Sequence, residues 1–406
     1  SNIIYEEFDL NIYSGLKNMN FDNIIDVKFN SSVAKNKIYS FLEIDPIVFD
    51  SGVYKKVKSF EISYRFSSNV TDSKNLIQPS VMRNGDWYQF YVQESGIHKI
   101  DRSFLEDLGI SVQSVDPRLI RIFGHGGKML PMQNDIDFLI DPVENSIKII
   151  GEEDGSFDSG DYILFYATGP KGYNSENDTN INLFEDKTSY FLSIGSENGI
   201  RTTDFIEPSG ESVFSIDYYT NYQFHENDDY NLAKIGRRWF GDRFDFENVK
   251  SFSFDLDNLL LDKPVNLKIS AAAISEIVTS MSVELNGSQL STMIFGPIGD
   301  PILATADNYS SNIDLNSSAV NLLFTYNNNG NPTSSAYLDY ISIEASSSLN
   351  FSEGQLTFYN NDLDLDSEIV NYEISNANNI SSIWNISNIS NISEISPNQI
   401  SDFSFK

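Results

Sequence analysis

The chain has 406 residues, a formal net charge of −31 and no cysteine, and it is rich in aromatics, with 29 Phe and 21 Tyr. That charge excludes a nucleic-acid binder, which needs a basic footprint, and disfavours adhesion to an anionic bilayer. The lack of cysteine excludes disulfides, a thiolate nucleophile and thiolate-ligated metal.

Hydrophobic residues make up 40% of the chain, enough to build cores, and the bias toward Phe, Tyr, Ile and Val favours strands over helices. The expected fold class is all-β and multi-domain, with few short helices. No run of 18 apolar residues is present, so no helix is expected to span a membrane. The first residues lack a basic stretch followed by an apolar core, and the last ones carry no capping signal. The expectation is a segment of a longer, exported protein.

Residues 1–78 read as a β-rich segment, with period-two alternation at 10–13 and 60–66 and a polar linker before Pro79. Residues 79–208 form a second β-rich module. Strands are expected at 87–92, 97–100, 118–123, 147–150, 162–166 and 190–194, with a turn at 94–96. One short helix is expected at 103–108, with Ser103 and Glu106 as a capping box and Gly109 just past its end. Residues 209–350 read as a β-sandwich, with strands at 251–256, 264–270, 281–285, 320–326 and 337–343. Asn286-Gly287 is a strong hairpin signal. Residues 351–406 add strands at 356–358 and 370–374 and a degenerate Asn-Ile-Ser repeat at 385–393, read as a polar connector with strand character.

The chemistry-bearing residues are few. A Ser-His-Asp triad needs a histidine, and only His98, His125 and His225 exist. His98 alternates within a strand, His125 sits in a glycine-rich turn and His225 falls in an acidic loop, so each reads as structural and no catalytic residue is assigned. The run 123–128 is not a phosphate loop, because G-x-x-x-x-G-K-[ST] is not met, and it reads as a turn or bulge. The acidic loop 151–161 offers Asp154, Asp158 and Asp161 as candidate Ca²⁺ ligands, against the plainer reading of a solvated turn. Otherwise no cofactor is expected. Arg237, Arg238 and Trp239 stand out in so acidic a chain. They read as a candidate binding site or as a surface motif packed on the sandwich.

Several motifs, in order, resemble the N-terminal region of the PorU family, the gingipain-type cysteine peptidases and sortases of the type IX secretion system of Bacteroidota. They are Gly85-Asp86-Trp87-Tyr88 with the run 94–100, the run 116–127 ending Gly124-His125-Gly126-Gly127, the acidic run 151–166, and Gly236-Arg237-Arg238-Trp239-Phe240-Gly241. The runs 283–287 and 337–341 resemble that family's jelly-roll-like region, and 383–386 a tryptophan-bearing strand ahead of its peptidase domain. The resemblance covers most of 80–406. It implies a parent whose Cys–His dyad follows residue 406, which trims C-terminal sorting signals from cargo and joins the cargo to anionic lipopolysaccharide at the cell surface. It also implies export through the periplasm, association with the outer membrane, and three partners: an outer-membrane β-barrel of the attachment complex, cargo C-terminal sorting domains and the chain's own peptidase domain. This segment then serves docking, shielding or partner binding. The alternatives are a propeptide-like region of another secreted gingipain-type peptidase and a carbohydrate-binding or adhesive β-sandwich, with Trp239 and Trp384 offering rings to sugars.

Overall fold

Alternating Phe, Tyr, Ile and Val give strands throughout a computed structural model that describes residues 3–7, 23, 25, 27–34, 37–61, 80–127, 129–132, 141–212, 214–234, 236–361, 369–395 and 403–405. The fold is all-β, with one six-residue α-helix among the described residues. The chain divides into two units, 1–80 with 133–137, and 81–132 with 138–406.

In the first unit, β1 (Ile3–Glu7), β5 (Val53–Phe60) and β4 (Ile47–Asp50) form an antiparallel sheet, and β2 (Val27–Ala34) pairs with β3 (Lys37–Ile44). Ser51 and Gly52, both at positive φ, make the two-residue turn from β4 to β5 that matches strand twist. The predicted strand at 10–13 lies outside the described residues, and of that at 60–66 only Phe60, the end of β5, is seen in a strand.

The second unit begins with a module of two facing sheets. One has the order β6 (Trp87–Val92), β14 (Thr188–Ile194), β8 (Ile120–Phe123), β9 (Glu144–Asn145). The other is β10 (Ile147–Ile150), β11 (Tyr162–Ala167), β7 (Gly96–Asp101). Between them Phe90, Phe165 and Tyr190 meet, with edge-on ring contacts at 5.7 and 5.5 Å. Helix α1 (Arg102–Asp107) differs from expectation at its start. Asp101, two residues before Ser103, caps it by accepting a bond from the Phe104 N–H at 3.0 Å, and Glu106 pairs with Arg102. The strand expected from 118 starts at Ile120, because Pro117–Leu119 is a 3₁₀ turn capped by Asp116. A hairpin, β12 (Lys171–Asn174) and β13 (Thr179–Ile181), projects from this module, and β15 (Thr203–Asp204) ends it.

The sandwich follows. Its first sheet has the order β17 (Tyr218–Glu226), β25 (Ser335–Ser348), β20 (Val265–Ile274), β23 (Thr305–Ile313), with β18 (Arg243–Phe244) also on β25. Its second is β19 (Val249–Asp255), β24 (Ala319–Asn327), β21 (Thr279–Leu285), β22 (Ser288–Phe295). Asn286-Gly287, at φ 48° and 80°, turns β21 into β22 as its sequence requires. Met281, Val283, Phe324, Ile341 and Ile343 are fully buried between the sheets.

The tail returns to the first module. β16 (Phe214–Ile216) lies beside β26 (Val370–Ile374), which pairs with β29 (Phe403–Phe405). β28 (Ser393–Ile395) pairs antiparallel with β27 (Ile383–Asn385) and parallel with β15, where the Lys148 ammonium meets Glu394 at 2.5 Å. The Asn-Ile-Ser repeat thus joins two short strands. Residues 356–358 are not a strand. Gln355 instead turns its side-chain amide onto β7, accepting from the Ile97 N–H at 2.7 Å and donating to the Ile97 carbonyl at 2.8 Å, so one side chain fills the place of a ladder step. Leu356 and Phe358 then pack into the tail's core around Leu349, Ile374 and Ile383.

The glycine-rich run 124–127 is a close approach of chain to chain. A Cβ on Gly127 would lie 2.1 Å from the Gly169 carbonyl oxygen, and one on Gly124 2.5 Å from the Tyr190 ring. Gly127→Ala is therefore expected to destabilise this unit by about 1–3 kcal/mol in urea unfolding, and unchanged stability would show that the two segments do not run this close.

Candidate functional site

The chemically richest part of the second unit is the seam where the β12–β13 hairpin meets β17 and β25. Strand β25 prepares it with a bulge. Ser270 of β20 faces Tyr340 and Ala271 faces Leu338, so Asp339 is the extra residue. Core-facing positions accordingly shift from Ala336 and Leu338 to Ile341 and Ile343. The bulge puts two adjacent residues, Asp339 and Tyr340, on the seam side of the strand.

Each then finds a partner. Asp339, 5% exposed, accepts from Arg238 Nη2 at 2.9 Å and from Ser270 Oγ at 2.9 Å. Burial raises its pKa above the ordinary carboxylate value despite the arginine. The Tyr340 hydroxyl donates to Asp178 Oδ1 at 3.3 Å, as does that of Tyr173, and burial followed by the Asp178 charge raises the Tyr340 pKa.

Across from Tyr340 on β17 stands Glu226. It is a buried carboxylate with its acceptors filled from the hairpin: Thr179 Oγ1 at 2.5 Å, the Asn180 N–H at 2.7 Å and Asn180 Nδ2 at 2.9 Å. Tyr222 donates to Asn180 Oδ1, and burial pushes its hydroxyl up to about 12. Burial also raises Glu226.

Two residues beyond, Asp228 is different. The residue is half-buried, yet both carboxylate oxygens are shut from solvent and neither has a hydrogen-bond partner. Burial first, then the charges of Glu226, Asp339 and Asp229, push it up to about 7. Glu226 and Asp228 line a cleft of about 780 Å³, walled by Gln89 and Tyr91 of β6 and by residues 182–187.

The candidates from the sequence fall as follows. Arg238 is at the seam on Asp339. Arg237 lies beside it, reaching the turn residue Asn177 at 3.4 Å and the Phe184 ring at 5.6 Å. Trp239 is 37% exposed between them and Phe240, whose side chain packs on Ala272 and Tyr337. Asp154, Asp158 and Asp161 share the turn between β10 and β11. Asp154 accepts from the Ser156 N–H at 2.9 Å and Asp161 from the Asp158 N–H at 2.6 Å. Among the described residues no group of three or more His, Asp or Glu is arranged to hold a metal ion. His98 bonds the Glu94 carbonyl at 2.9 Å. His225 lies in strand β17, not in an acidic loop, and its Nε2 meets Asp242 Oδ2 at 2.6 Å. Burial raises Asp242, but the bonds from His225 and Asn227 outweigh it and leave the carboxyl below its ordinary value. The indole nitrogen of Trp384 is buried without a partner, so that ring edge faces the interior.

A comparison with sequence-family models finds no match, and one with curated proteins finds none either. A solved structure does match: dimeric latent PorU from Porphyromonas gingivalis, at TM-score 0.65 and 20% identity, covering 80% of this chain and 30% of that one. The fold is similar to that of PorU. At this identity the likeness is one of fold, and the chain spans 30% of the PorU length. A family-36 carbohydrate-binding module in complex with calcium and xylotriose matches 30% of this chain at 17% identity and covers 98% of its own, with TM-score 0.22. A related module of a xylanase from the hindgut metagenome of Trinervitermes trinervoides covers 33% of this chain and 100% of its own at 12% identity, also at 0.22. Scores so low say nothing about a ligand. No helix among the described residues is long and apolar enough to cross a membrane, which leaves β-barrels unaddressed.

Two outcomes follow from the seam. The folded Asp228 carboxyl keeps a proton that the unfolded one releases, so the native state loses stability as pH rises from about 4 to about 7. Asp228→Asn removes that loss: above pH 7 it is expected to be more stable than the parent by about 1–2 kcal/mol, allowing for screening of a half-buried group. The gap closes as pH falls toward 4 in urea titrations, and a pH-independent difference would contradict the assignment. Arg238→Ala strands the buried Asp339 and is expected to cost about 3 kcal/mol. Adding Asp339→Asn to it restores most of that loss, and an additive double variant would show the two side chains to be uncoupled.

Proposed function

We propose that this chain is the non-catalytic front of a gingipain-type sortase of a type IX secretion system. The observation that supports the reading is the fold likeness to PorU over 80% of the chain, to which the collinear motifs of the 80–406 region add weight. With no cysteine anywhere, the chain itself supplies no cysteine nucleophile. In this reading a Cys–His dyad belongs to another part of the parent. A thiolate there attacks the peptide carbonyl of a cargo sorting signal, the signal leaves as an amine, and the acyl group passes to anionic lipopolysaccharide.

The region in front of that chemistry then docks on the peptidase domain, shields its cleft or holds a partner. The matched PorU structure is of a latent form, which favours shielding among these roles. An outer-membrane β-barrel and cargo sorting domains are the proposed partners, and the cell surface the proposed location. The acidic surface, at −31, suits solubility there.

The deciding assay measures cleavage and transfer of a cargo sorting-signal peptide by this 406-residue chain and by the longest product of its gene. Activity confined to the longer protein is expected. Cleavage or transfer by the 406-residue chain alone would overturn the reading, since it would require a cysteine-independent site within these β-domains.

A further inference from the structure

An Asn-Gly pair carries a reaction of its own. The glycine nitrogen can attack the side-chain carbonyl carbon of the asparagine, because the glycine has no Cβ to hinder the approach. The chain has four such pairs, at 84–85, 198–199, 286–287 and 329–330. The attack needs an asparagine side chain able to swing onto the main chain and a glycine N–H with no acceptor. The fold withholds one or both at three of the pairs. Asn286 Oδ1 accepts from the Asn321 N–H at 2.9 Å, and its Nδ2 donates to the Ala319 carbonyl at 3.1 Å. The Gly330 N–H donates to Asn328 Oδ1 at 3.1 Å, and Asn329 Nδ2 to the Val278 carbonyl at 3.4 Å. The Gly199 N–H donates to the Arg118 carbonyl at 3.1 Å, in a segment so closely packed that a Cβ on Gly199 would lie 2.4 Å from the Ile120 carbonyl oxygen.

Asn84-Gly85 is the exception. Both residues are exposed, in the bend between the 3₁₀ turn Val81–Arg83 and β6. Among the described residues neither the Asn84 side chain nor the Gly85 N–H has a hydrogen-bond partner. A Cβ on Gly85 would meet nothing nearer than 3.9 Å, so the space around the pair is open. Asn84 also lacks the left-handed backbone that Asn286 and Asn329 adopt at φ 48° and 51°. The chain is fixed on both sides of the bend. The Val81 N–H donates to Asp141 Oδ2 at 2.7 Å, and Ser193 Oγ donates to the Asp86 carbonyl at 3.0 Å. The reactive pair is thus a short free span between two anchored points.

We propose that Asn84-Gly85 is a self-modification site, at which the chain converts Asn84 to aspartate and isoaspartate and so rebuilds the entry to β6. The Gly85 nitrogen gives its proton to solvent and bonds to Asn84 Cγ. The Cγ–Nδ2 bond breaks, and Nδ2 leaves as ammonia after taking a proton back from solvent. The succinimide ring so formed then takes up water. Opening at the side-chain carbonyl gives aspartate. Opening at the main-chain carbonyl gives isoaspartate, in which the backbone runs through the former side chain. Nothing is oxidised or reduced, and water is the sole co-reactant. The Asn84 main-chain carbonyl accepts from the Trp87 indole N–H at 3.0 Å, and the Trp87 ring meets Phe123 edge-on at 5.0 Å. In isoaspartate that carbonyl becomes a carboxylate off the main chain, so the anchor of the first β6 residue changes. The site stands independently of the sortase reading.

The test incubates the whole folded 406-residue chain at neutral pH and follows all four asparagines by mass spectrometry of its peptides. Methylation by an isoaspartyl methyltransferase serves as the probe for isoaspartate. A hydrogen bond that must open before the attack slows it by about fivefold. Asn84 is therefore expected to convert at least about fivefold faster than each of Asn198, Asn286 and Asn329. In concentrated urea, where those bonds are gone, the four rates are expected to converge. The isoaspartate fraction is also expected to show a shifted Trp87 indole N–H resonance, which Asn84→Asp, with the charge but an unaltered backbone, leaves in place. No lead for Asn84 in the folded chain, a lead that persists unchanged in urea, or a Trp87 resonance that is the same in the isoaspartate fraction and in Asn84→Asp would each overturn the proposal. The rate comparison needs no variant, so its outcome does not depend on how a substitution folds.

Discussion

The relation between the first module and the sandwich depends on one buried carboxylate, Glu226. It stands at the end of β17 and takes three donors from two consecutive hairpin residues, Thr179 and Asn180. A carboxylate with filled acceptors in a dry seam is directional in a way that apolar contact is not. It fixes which face of the hairpin meets the sandwich. Tyr222 on Asn180 and Tyr340 on Asp178 repeat the arrangement on either side, each with a polar tip on an aromatic body. The seam is thus held by oriented hydrogen bonds rather than by a broad hydrophobic interface.

The same seam explains why β25 is irregular. A regular strand alternates faces, so it cannot present neighbouring residues to one side. The bulge at Asp339 allows it, with the extra residue absorbed between Leu338 and Ile341 while both core contacts are kept. Arg238 then reaches Asp339 from a segment that the strand order alone would not place there. The arginine motif and the bulged strand belong to one arrangement, though they lie 101 residues apart in sequence.

Much of the fold could be read from the chain, because period-two alternation is a local signal. The strands at 87–92, 147–150 and 281–285 and the Asn286-Gly287 turn follow directly from it. Errors arose where a polar side chain outbid the expected backbone pattern. Asp101 captured the start of α1 ahead of Ser103, and Gln355 used its amide in place of the strand expected at 356–358. The seam was hidden for a different reason: its partners are 42 to 162 residues apart, and one chain of amino acids carries no direct trace of such pairings. One local trace did exist. The order Leu338-Asp339-Tyr340-Ile341 breaks the alternation that runs through the strand, which is the mark of a bulge. His225, placed in a loop by its acidic neighbours, lies in a strand because Tyr222 and Phe224 before it carry the stronger pattern.

The return of the tail has a mechanical meaning. Ser393 and Glu394 lie alongside Thr203 and Asp204, and the Glu394 carboxylate is tied to Lys148. Everything between residues 204 and 393, the whole sandwich included, is therefore a loop whose two feet are clasped together on the first module. A pull applied at residues 393–395 passes across that clasp into the module, whereas one applied beyond residue 405 first loads β29 and, through it, β26 inside the loop. The clasp thus shields the sandwich from load that arrives at 393–395, and the β29–β26 pairing is the second point at which load enters.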